Sequence, residues 1–370
     1  MKIESFKLER YFAQYEFNTP FLLSCSDCEP LAMKDLLSMA HEESSRLWEE
    51  LKLAYTDSMG NPILREEISK LYPNISSEEM LVCTPEEGIY IAMNSLLNEG
   101  DHVITTFPGY QSLYEIAISN KCKVSKWTPN EEMCFKLEDL FKQISDKTKL
   151  IVINFPHNPT GETITPGDLK QIVSLAREKN IVVFSDEMYR FLEYDSADRL
   201  PSVSEIYENG ISLFGLSKTF ALPGLRIGWL TTKNINMLAE IAAYKDYTTI
   251  CSSAPSEILG IIALQNKNQI IERNLHIIQH NLEIAEDFLA RNENLFKWRK
   301  PLAGTISFPE LKVNGTIHDF CLDLIEKKGV MLLPSDVYDF DRKCVRIGFG
   351  RKNFPEAISL FEDYLNEKNN

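Results

Sequence analysis

The chain has 370 residues, of which 44% are hydrophobic and 25% are charged, with a formal net charge of −15. This length allows two domains with a large core, and the acidic balance argues against a general nucleic-acid binder because few phosphates could be neutralised. The N-terminal segment is charged and aromatic, unlike a secretory signal, and no apolar run approaches a membrane span. Eight cysteines scattered through a long chain favour a reducing compartment, so we expect a cytoplasmic protein that binds neither membranes nor nucleic acid.

Short apolar runs alternate with amphipathic stretches over residues 55–233, which predicts a layered α/β fold with a mostly parallel sheet. The strands are predicted at 102–107, 150–155, 181–185, 212–216 and 226–231, with helices at 87–97, 110–119 and 166–179. One long helix is expected over 256–291, then strands at 305–308 and 344–349 and helices at 317–328 and 355–367. We expect a large domain over residues 45–280 and a small domain formed by 1–44 and 281–370.

Polar residues follow several predicted strands, at the positions where open α/β sheets bind ligands. Lys218 comes directly after an apolar strand, where partial desolvation lowers the pKa of an amine and frees it for Schiff-base chemistry. A solvated lysine just past a strand is the alternative. A phosphate-binding P-loop is excluded because Ser217, rather than glycine, precedes the lysine.

Two charged residues elsewhere in the predicted sheet region could bind charged groups of a ligand. Arg226 lies between two glycines, and its forked, permanently charged guanidinium suits a phosphate. Asp186 ends an apolar strand, and a carboxylate in a dry crevice needs a cationic or hydrogen-bonding partner. The alternatives are a surface arginine at a turn and an aspartate that caps the following turn.

Three further sites are weaker on their own. Asn158 lies in an Asn-Pro-Thr-Gly turn, from which its amide could point into the crevice. Tyr110 could stack on a flat ring, although a tyrosine after a turn more often packs in the core. Cys25 and Cys28 form a lone CxxC pair without a second pair at zinc-site spacing, so no metal site is predicted.

Taken together, four segments closely resemble the class I/II aminotransferases of the pyridoxal-phosphate (PLP) fold type I. They occur in the family's order, and the resemblance runs from about residue 55 to the C-terminus: Asn158-Pro159-Thr160-Gly161, Asp186-Glu187-Met188-Tyr189, Ser217-Lys218 and Gly224-Leu225-Arg226-Ile227-Gly228. The resemblance implies a three-layer αβα PLP-transferase large domain with a mostly parallel sheet, a smaller α+β domain, and PLP as cofactor.

The same resemblance implies a role for each matching residue. Lys218 is implied to form the Schiff base and to move the substrate proton, and Asp186 to pair with the pyridine nitrogen. Asn158 and Tyr189 match the residues that donate hydrogen bonds to the ring hydroxyl. The resemblance also implies that Tyr189 is a catalytic residue. Three further contacts with the cofactor are implied. Tyr110 stacks on the ring, Arg226 binds the phosphate, and Ser217 contacts the cofactor from the position beside the lysine.

Contacts to the substrate and to a second subunit are implied in the same way. Arg346 resembles the arginine that pairs with the substrate α-carboxylate, with Asn158 beside it, and Ser26 lies near a substrate-contacting position of the N-terminal segment. Tyr55 resembles the tyrosine that reaches the phosphate of the neighbouring subunit, which implies a homodimer with its sites at the interface.

The predicted phosphate site departs from the family pattern at two places. Thr84 and Glu87 form a capping box with Pro85 at the first helical position. Because Pro85 has no N–H, we expect the Thr84 hydroxyl and the Glu86 amide to hold the phosphate. Gly215 stands where the family commonly has a phosphate-binding serine.

We therefore predict an aminotransferase that acts on an amino acid and a 2-oxo acid. A PLP-dependent C–S β-lyase on the same fold is the main alternative, because the cofactor supplies the electron sink and the protein selects the bond that breaks. A non-catalytic scaffold is a further alternative, although it would not need Lys218, Asp186 and Arg346 together. No distal arginine can be assigned to a dicarboxylic substrate.

Overall fold

A computed structural model describes residues 3–369 of the chain. Its helices are α1 Lys7–Tyr15, α2 Met33–Ser38, α3 Glu42–Glu49, α4 Pro62–Ser69, α5 Pro85–Leu96, α6 Ser112–Ser119, α7 Leu137–Phe141, α8 Pro166–Glu178, α9 Val203–Ile206, α10 Ile235–Lys245, α11 Ala254–Gln265, α12 Lys267–Arg291, α13 Ile317–Lys328 and α14 Phe354–Asn369. Its strands are β1 Met80–Cys83, β2 His102–Thr106, β3 Lys123–Trp127, β4 Thr148–Asn154, β5 Val182–Asp186, β6 Gly210–Gly215, β7 Gly228–Thr231, β8 Phe296–Lys297, β9 Ile306–Ser307, β10 Glu310–Leu311, β11 Leu333–Pro334 and β12 Val345–Gly348.

Seven strands form the central sheet in the order β1-β7-β6-β5-β4-β2-β3. All neighbouring pairs from β6 to β3 are parallel, and only β7 runs antiparallel to its two neighbours. The prediction of a mostly parallel sheet is therefore confirmed. Sequence patterns missed β3, because this edge strand is largely exposed and carries little apolar signal.

Helices cover both faces of this sheet because successive strand residues point to opposite sides. Val103 and Val152 belong to the apolar cluster that includes α5, α6 and α10. Their neighbours Ile104 and Ile151 belong to the cluster that includes α8. A third cluster packs α4 and α11 against the β1 and β7 end of the sheet. The three-layer αβα architecture is therefore confirmed.

Two small antiparallel sheets lie in the C-terminal part of the chain. One has the order β11-β12-β9, and the other pairs β10 with β8. Helices α13 and α14 pack on each other, and α14 also packs on α12. The predicted domain boundary after residue 280 falls inside α12, and the division into two domains stays a prediction.

Two predicted elements differ from the structure in ways that matter for the site. The single helix expected over 256–291 is two helices, because Asn266 breaks it: its Nδ2 donates to the Met39 and Ile262 carbonyls at 3.0 and 2.8 Å. The strand expected from Arg226 begins only at Gly228. Arg226 instead lies in the turn before β7 with φ of 55°, a left-handed conformation.

Candidate active site

Three neighbouring strands end at the same edge of the sheet, and residues at or just after their ends line one cavity. β4 ends at Asn154, β5 ends at Asp186, and Lys218 follows β6 after two further residues. All three side chains line a cavity of about 530 Å³. The strand ends therefore meet where open α/β sheets bind their ligands.

The amine of Lys218 lies in this cavity, where its Nζ donates to Ser26 Oγ at 3.0 Å. Burial lowers the pKa of the Lys218 amine below its ordinary value, while the carboxylate of Asp27 acts in the opposite direction. A lower pKa increases the fraction of neutral amine, which is the form that attacks a carbonyl carbon. Lys218, which we predicted to bind the cofactor, is thus in direct contact with Ser26, which we predicted to contact the substrate.

Asp186 presents a buried carboxylate to the same cavity. Its side chain accepts a hydrogen bond from the Met188 amide at 3.1 Å, and the residue is only 6% exposed. Burial raises the pKa of Asp186 to about 7, and the nearby Lys218 amine partly opposes this shift. A cationic ligand group beside this carboxylate would stabilise its charged form.

Tyr189 and Asn158 supply polar groups beside Asp186. The Tyr189 hydroxyl is buried and has no hydrogen-bond partner among residues 3–369. Asn158 is fixed by its backbone N–H, which donates to Asn154 Oδ1 at 2.9 Å. Because a buried hydroxyl without a partner is costly, Tyr189 marks a position where a ligand oxygen fits.

Arg346 on β12 faces the other end of the cavity and is only 2% exposed. Its Nε donates to the Ser24 carbonyl at 2.9 Å, and its Nη1 donates to the Tyr338 hydroxyl at 2.7 Å and to Asn158 Oδ1 at 3.2 Å. No carboxylate of the described chain forms an ion pair with it. A guanidinium oriented by neutral partners in this way is suited to a ligand carboxylate.

Two glycines let the N-terminal segment reach the cavity. The Gly348 N–H donates to the Leu23 carbonyl at 2.7 Å, and a Cβ on Gly348 would lie 1.9 Å from the Cys25 oxygen. A Cβ on Gly350 would lie 2.1 Å from the Asp27 oxygen. Only glycine permits this close approach, which places the Ser26 side chain beside the Lys218 amine.

Arg226 and Ser217 line the part of the cavity next to the start of α5. The Arg226 side chain is exposed and donates to the Pro223 carbonyl at 3.0 Å. It forms no ion pair within residues 3–369, which leaves its charge available to a bound anion.

Pro85 and Gly215, the two residues that depart from the family pattern, are in contact with each other. A Cβ on Gly215 would lie 2.9 Å from the Gly228 Cα and 3.2 Å from Pro85 Cγ. A Cβ on Gly228 would lie 2.8 Å from the same proline atom. The Pro85 ring therefore packs over this glycine pair of β6 and β7, and it restricts the space for a serine side chain at position 215.

The start of α5 has the predicted capping box. Thr84 and Glu86, the two residues expected to hold the phosphate, point in different directions. The Thr84 N–H and hydroxyl donate to Glu87 at 3.3 and 3.2 Å, which turns Thr84 toward the cap and leaves it out of the cavity lining. Glu86 does line the cavity, and its carboxylate accepts from Ser112 Oγ at 3.1 Å. Burial raises the pKa of Glu86 to about 7.

Helix α1 covers the cavity, which the sequence analysis did not predict. Glu9, Phe12 and Glu16 line it from this side. Tyr110 lies beneath α1, with its hydroxyl donating to Glu9 Oε1 at 2.8 Å and its ring 4.8 Å from that of Phe6. The spacing of three and four residues, which places 9, 12 and 16 on one helix face, was the available signal.

Two residues show the limits of the motif assignments. Tyr55 is 89% exposed and is not part of the cavity lining of its own chain. Tyr338, which no motif indicated, lies behind the cavity lining, where its hydroxyl donates to Asn158 Oδ1 at 3.2 Å and accepts from Arg346 Nη1 at 2.7 Å.

Within the described chain, no helix combines the length and apolarity needed to cross a bilayer. Residues 3–369 also contain no group of three or more potential metal ligands. Cys25 and Cys28 are unpaired and buried, and burial raises the pKa of their thiols to about 11 and 12.

Comparison with known proteins agrees with this geometry. The family model for class I and II aminotransferases matches residues 29–357. An aspartate aminotransferase from Sulfolobus acidocaldarius is 29% identical over 337 residues, covering 85% of this chain and 83% of its own. Capreomycidine synthase from Streptomyces vinaceus is 28% identical over 296 residues, covering 79% and 75%. The crystal structure of a PLP-dependent aminotransferase from Streptococcus suis superposes with a TM-score of 0.92 at 30% identity, covering 99% of both chains. The chain therefore belongs to the class I and II aminotransferase family and is a PLP-dependent enzyme of that family.

Proposed function

We propose that Lys218 is the residue that carries PLP covalently and moves the proton during transamination between an amino acid and a 2-oxo acid. The observation that carries this assignment is a single cavity lined by the Lys218 amine, the Asp186 carboxylate and the Arg346 guanidinium. These groups are the amine, the anion and the cation that the reaction needs in one place.

The polar groups of the cavity fit PLP. Asp186 is a buried anion whose raised pKa calls for a cationic partner, and a protonated pyridine nitrogen has that charge. The unpartnered Tyr189 hydroxyl suits the ring oxygen. Arg226 and Ser217 are placed to hold the phosphate. When bound, PLP supplies an electron sink for the bond broken at the substrate Cα.

The chain's own residues divide the remaining work. Arg346 binds the substrate α-carboxylate, held in position by Ser24 and Tyr338. The Lys218 amine accepts and returns the proton of the substrate Cα, which requires its neutral form and therefore benefits from its lowered pKa. Ser26 orients this amine through the hydrogen bond to Nζ. Helix α1 limits the access of water to the cavity.

We further propose a homodimer in the cytoplasm. Tyr55 is almost fully exposed on its own chain, which is the arrangement needed for a side chain that completes the phosphate site of a second copy. All eight cysteines are free of disulfides, which suits a reducing compartment.

The test uses purified Lys218→Ala and, as a matched control, Lys179→Ala on the exposed end of α8. We expect Lys218→Ala to lose the near-visible absorption of lysine-bound PLP and to lose about a hundredfold to ten-thousandfold in turnover. Borohydride reduction of the wild-type enzyme followed by peptide mass spectrometry should locate the cofactor on Lys218. Labelling of a different lysine would overturn the assignment.

A C–S β-lyase on the same residues is the second candidate, because PLP supplies the electron sink for both reactions and the similar proteins are not all named aminotransferases. Transamination converts the cofactor to its amino form and needs a 2-oxo acid to regenerate it. Elimination releases pyruvate and ammonia without an amino acceptor. Measuring both products from one amino acid, with and without added 2-oxo acid, separates the two reactions.

A further inference from the structure

The cavity wall formed by α1 is negatively charged. Glu9 and Glu16 are seven residues apart, separated by Phe12 at spacings of three and four, so all three lie on one helix face. All three side chains line the cavity. The face therefore presents two carboxylates on either side of an aromatic ring.

These carboxylates have no cation of their own. Glu9 accepts only the neutral Tyr110 hydroxyl, and the Glu16 carboxylate has no side-chain partner among residues 3–369. Asp27, by contrast, is paired with Arg351 at 2.9 Å. Burial raises the pKa of the Glu16 carboxyl, as do the negative charges of Asp27 and Glu9, whereas the positive charges of Arg351 and Lys218 lower it. A cation in the space between Glu9 and Glu16 would relieve this repulsion.

Under the proposed function, each positively charged side chain of the cavity already binds the cofactor or the substrate α-carboxylate. Its lining contains three cationic side chains, Lys218, Arg226 and Arg346. They are assigned to the cofactor carbon, the cofactor phosphate and the substrate α-carboxylate. Within one chain, no cation in the lining remains for a second carboxylate of the substrate.

The centre of the acidic face lies close to the proposed α-carboxylate clamp, while Glu9 also contacts Tyr110, which is proposed to stack on the cofactor ring. The Phe12 ring lies 5.6 Å from the Arg346 guanidinium carbon, so the centre of the face covers the proposed α-carboxylate site. The same cavity holds the Lys218 amine and the Arg346 guanidinium, which point to a substrate in it independently of these charges. A substrate side chain that extends from the clamp toward α1 meets Glu9 and Glu16.

We propose that the preferred amino-acid substrate has a positively charged side chain, a guanidinium or an ammonium group, bound by Glu9 and Glu16. This inference rests on the proposed function, because it takes Arg346 as the α-carboxylate clamp. It assigns Glu9 and Glu16 as specificity-determining residues.

The test compares amino acids that differ in charge but scarcely in shape. The PLP-loaded enzyme is mixed with L-arginine or with L-citrulline, its uncharged near-isostere, and the conversion of the cofactor to its amino form is followed by absorption. L-lysine and L-norleucine form a second pair, and L-aspartate tests the opposite charge. We expect kcat/KM for the cationic member of at least one pair to exceed that of its neutral partner by about tenfold to a hundredfold.

Variants then assign the preference to α1. Glu9→Gln keeps an acceptor for Tyr110, and Glu16→Gln keeps the side-chain shape; each should reduce the ratio of cationic to neutral kcat/KM, mainly through KM. Gln14→Lys is the matched control, because it also makes α1 more positive by one charge but on its exposed side. It should leave the ratio unchanged. Calorimetric affinities of the PLP-loaded enzyme for a non-reacting cationic ligand, guanidinobutyrate, should fall in both glutamate variants.

The outcomes separate this inference from the proposed function. Conversion of the cofactor at equal rates by both members of each pair, or a preference for aspartate, overturns the inference and leaves transamination intact. No conversion by any amino acid overturns both. A ratio that Glu9→Gln and Glu16→Gln leave unchanged overturns the assignment of these residues.

Discussion

At the scale of single residues, Asp186 combines a functional position with a cost in stability. Its pKa is raised to about 7, whereas an aspartate in an unfolded chain titrates at about 3.9. Between these two values the folded chain binds more protons than the unfolded chain, so the free energy of unfolding of the cofactor-free protein falls as pH rises. This loss is complete above the folded-state pKa.

Asp186→Asn removes the ionisation and should stabilise the cofactor-free protein. Because the loss from Asp186 is only partial at pH 5 and complete at pH 8, the increase in melting temperature should be larger at pH 8. The same variant should bind PLP more weakly, since asparagine cannot neutralise the pyridine nitrogen. Thermal melts of both cofactor-free proteins at the two pH values check the prediction, and equal increments at both would contradict it.

Some residues of the candidate site could be predicted from the sequence, and others could not. Lys218, Asp186 and Asn158 stand at or just after strand ends within local motifs, so short-range patterns identify them. Tyr338 has no such motif, because its role depends on contacts with Asn158 and Arg346 made only after folding.

At the scale of secondary-structure elements, α5, β6 and β7 meet in one junction at the two positions where the sequence departs from the family pattern. Pro85 packs over Gly215 and Gly228, so the proline and the glycine at 215 are one structural feature rather than two separate losses. Sequence alone could register both departures but could not reveal their contact, because the two positions are 130 residues apart in the chain.

Restoring a serine at position 215 should therefore destabilise the protein. Gly215→Ser forces a side chain against the Gly228 backbone and the Pro85 ring, which we expect to cost about 1–3 kcal/mol in the free energy of unfolding. Pro85→Ala should recover part of this cost, giving a coupling of about 0.5–3 kcal/mol in a double-mutant cycle. Urea unfolding of the four proteins measures both quantities.

Gly167→Ser provides the control, because a Cβ at that exposed position would approach only the Thr165 hydroxyl oxygen, at 3.5 Å. It should leave stability nearly unchanged. If Gly215→Ser is equally neutral, or if its cost does not depend on Pro85, the packing described for this junction is wrong.

Five of the seven central strands and several helices, including α5, α6 and α8, could be predicted because their apolar periodicity is strong. The strands predicted between residues 102 and 231 begin and end within two residues of the observed limits. The break between α11 and α12 could not be predicted, since apolar spacing continues across it and the cause is a side-chain bond from Asn266 to the distant Met39. The cover formed by α1 was equally hidden, because the pattern of a helix does not tell which surface it contacts.

At the scale of the whole molecule, Tyr55 tests the proposed dimer. Tyr55→Ala should weaken PLP binding without unfolding the chain, because the side chain is 89% exposed. If Tyr55 acts across the interface, mixing Tyr55→Ala with the inactive Lys218→Ala variant should create sites that combine both intact residues. Random exchange should then restore activity in about a quarter of the sites.

The measurement is turnover of the mixture at a PLP concentration that leaves Tyr55→Ala mostly unloaded, with the mass of the assembly determined by light scattering. The Lys179→Ala variant mixed with Lys218→Ala is the positive control. If the assembly is a dimer but the mixture gains no activity, Tyr55 does not act on the cofactor of the second subunit. If light scattering shows a monomer, the proposed interface does not exist.

The way α1 is anchored has a consequence for biosynthesis. Its Tyr11 hydroxyl donates to the Leu332 carbonyl at 3.1 Å, and Lys7 pairs with Asp339. Helix α1 thus has contacts near Tyr110, about a hundred residues further along the chain, and a second set that forms only after residues more than three hundred positions away have been made. A chain that ends before these distant residues lacks part of the anchor of α1, so the helix that covers the Lys218 amine is held by fewer contacts.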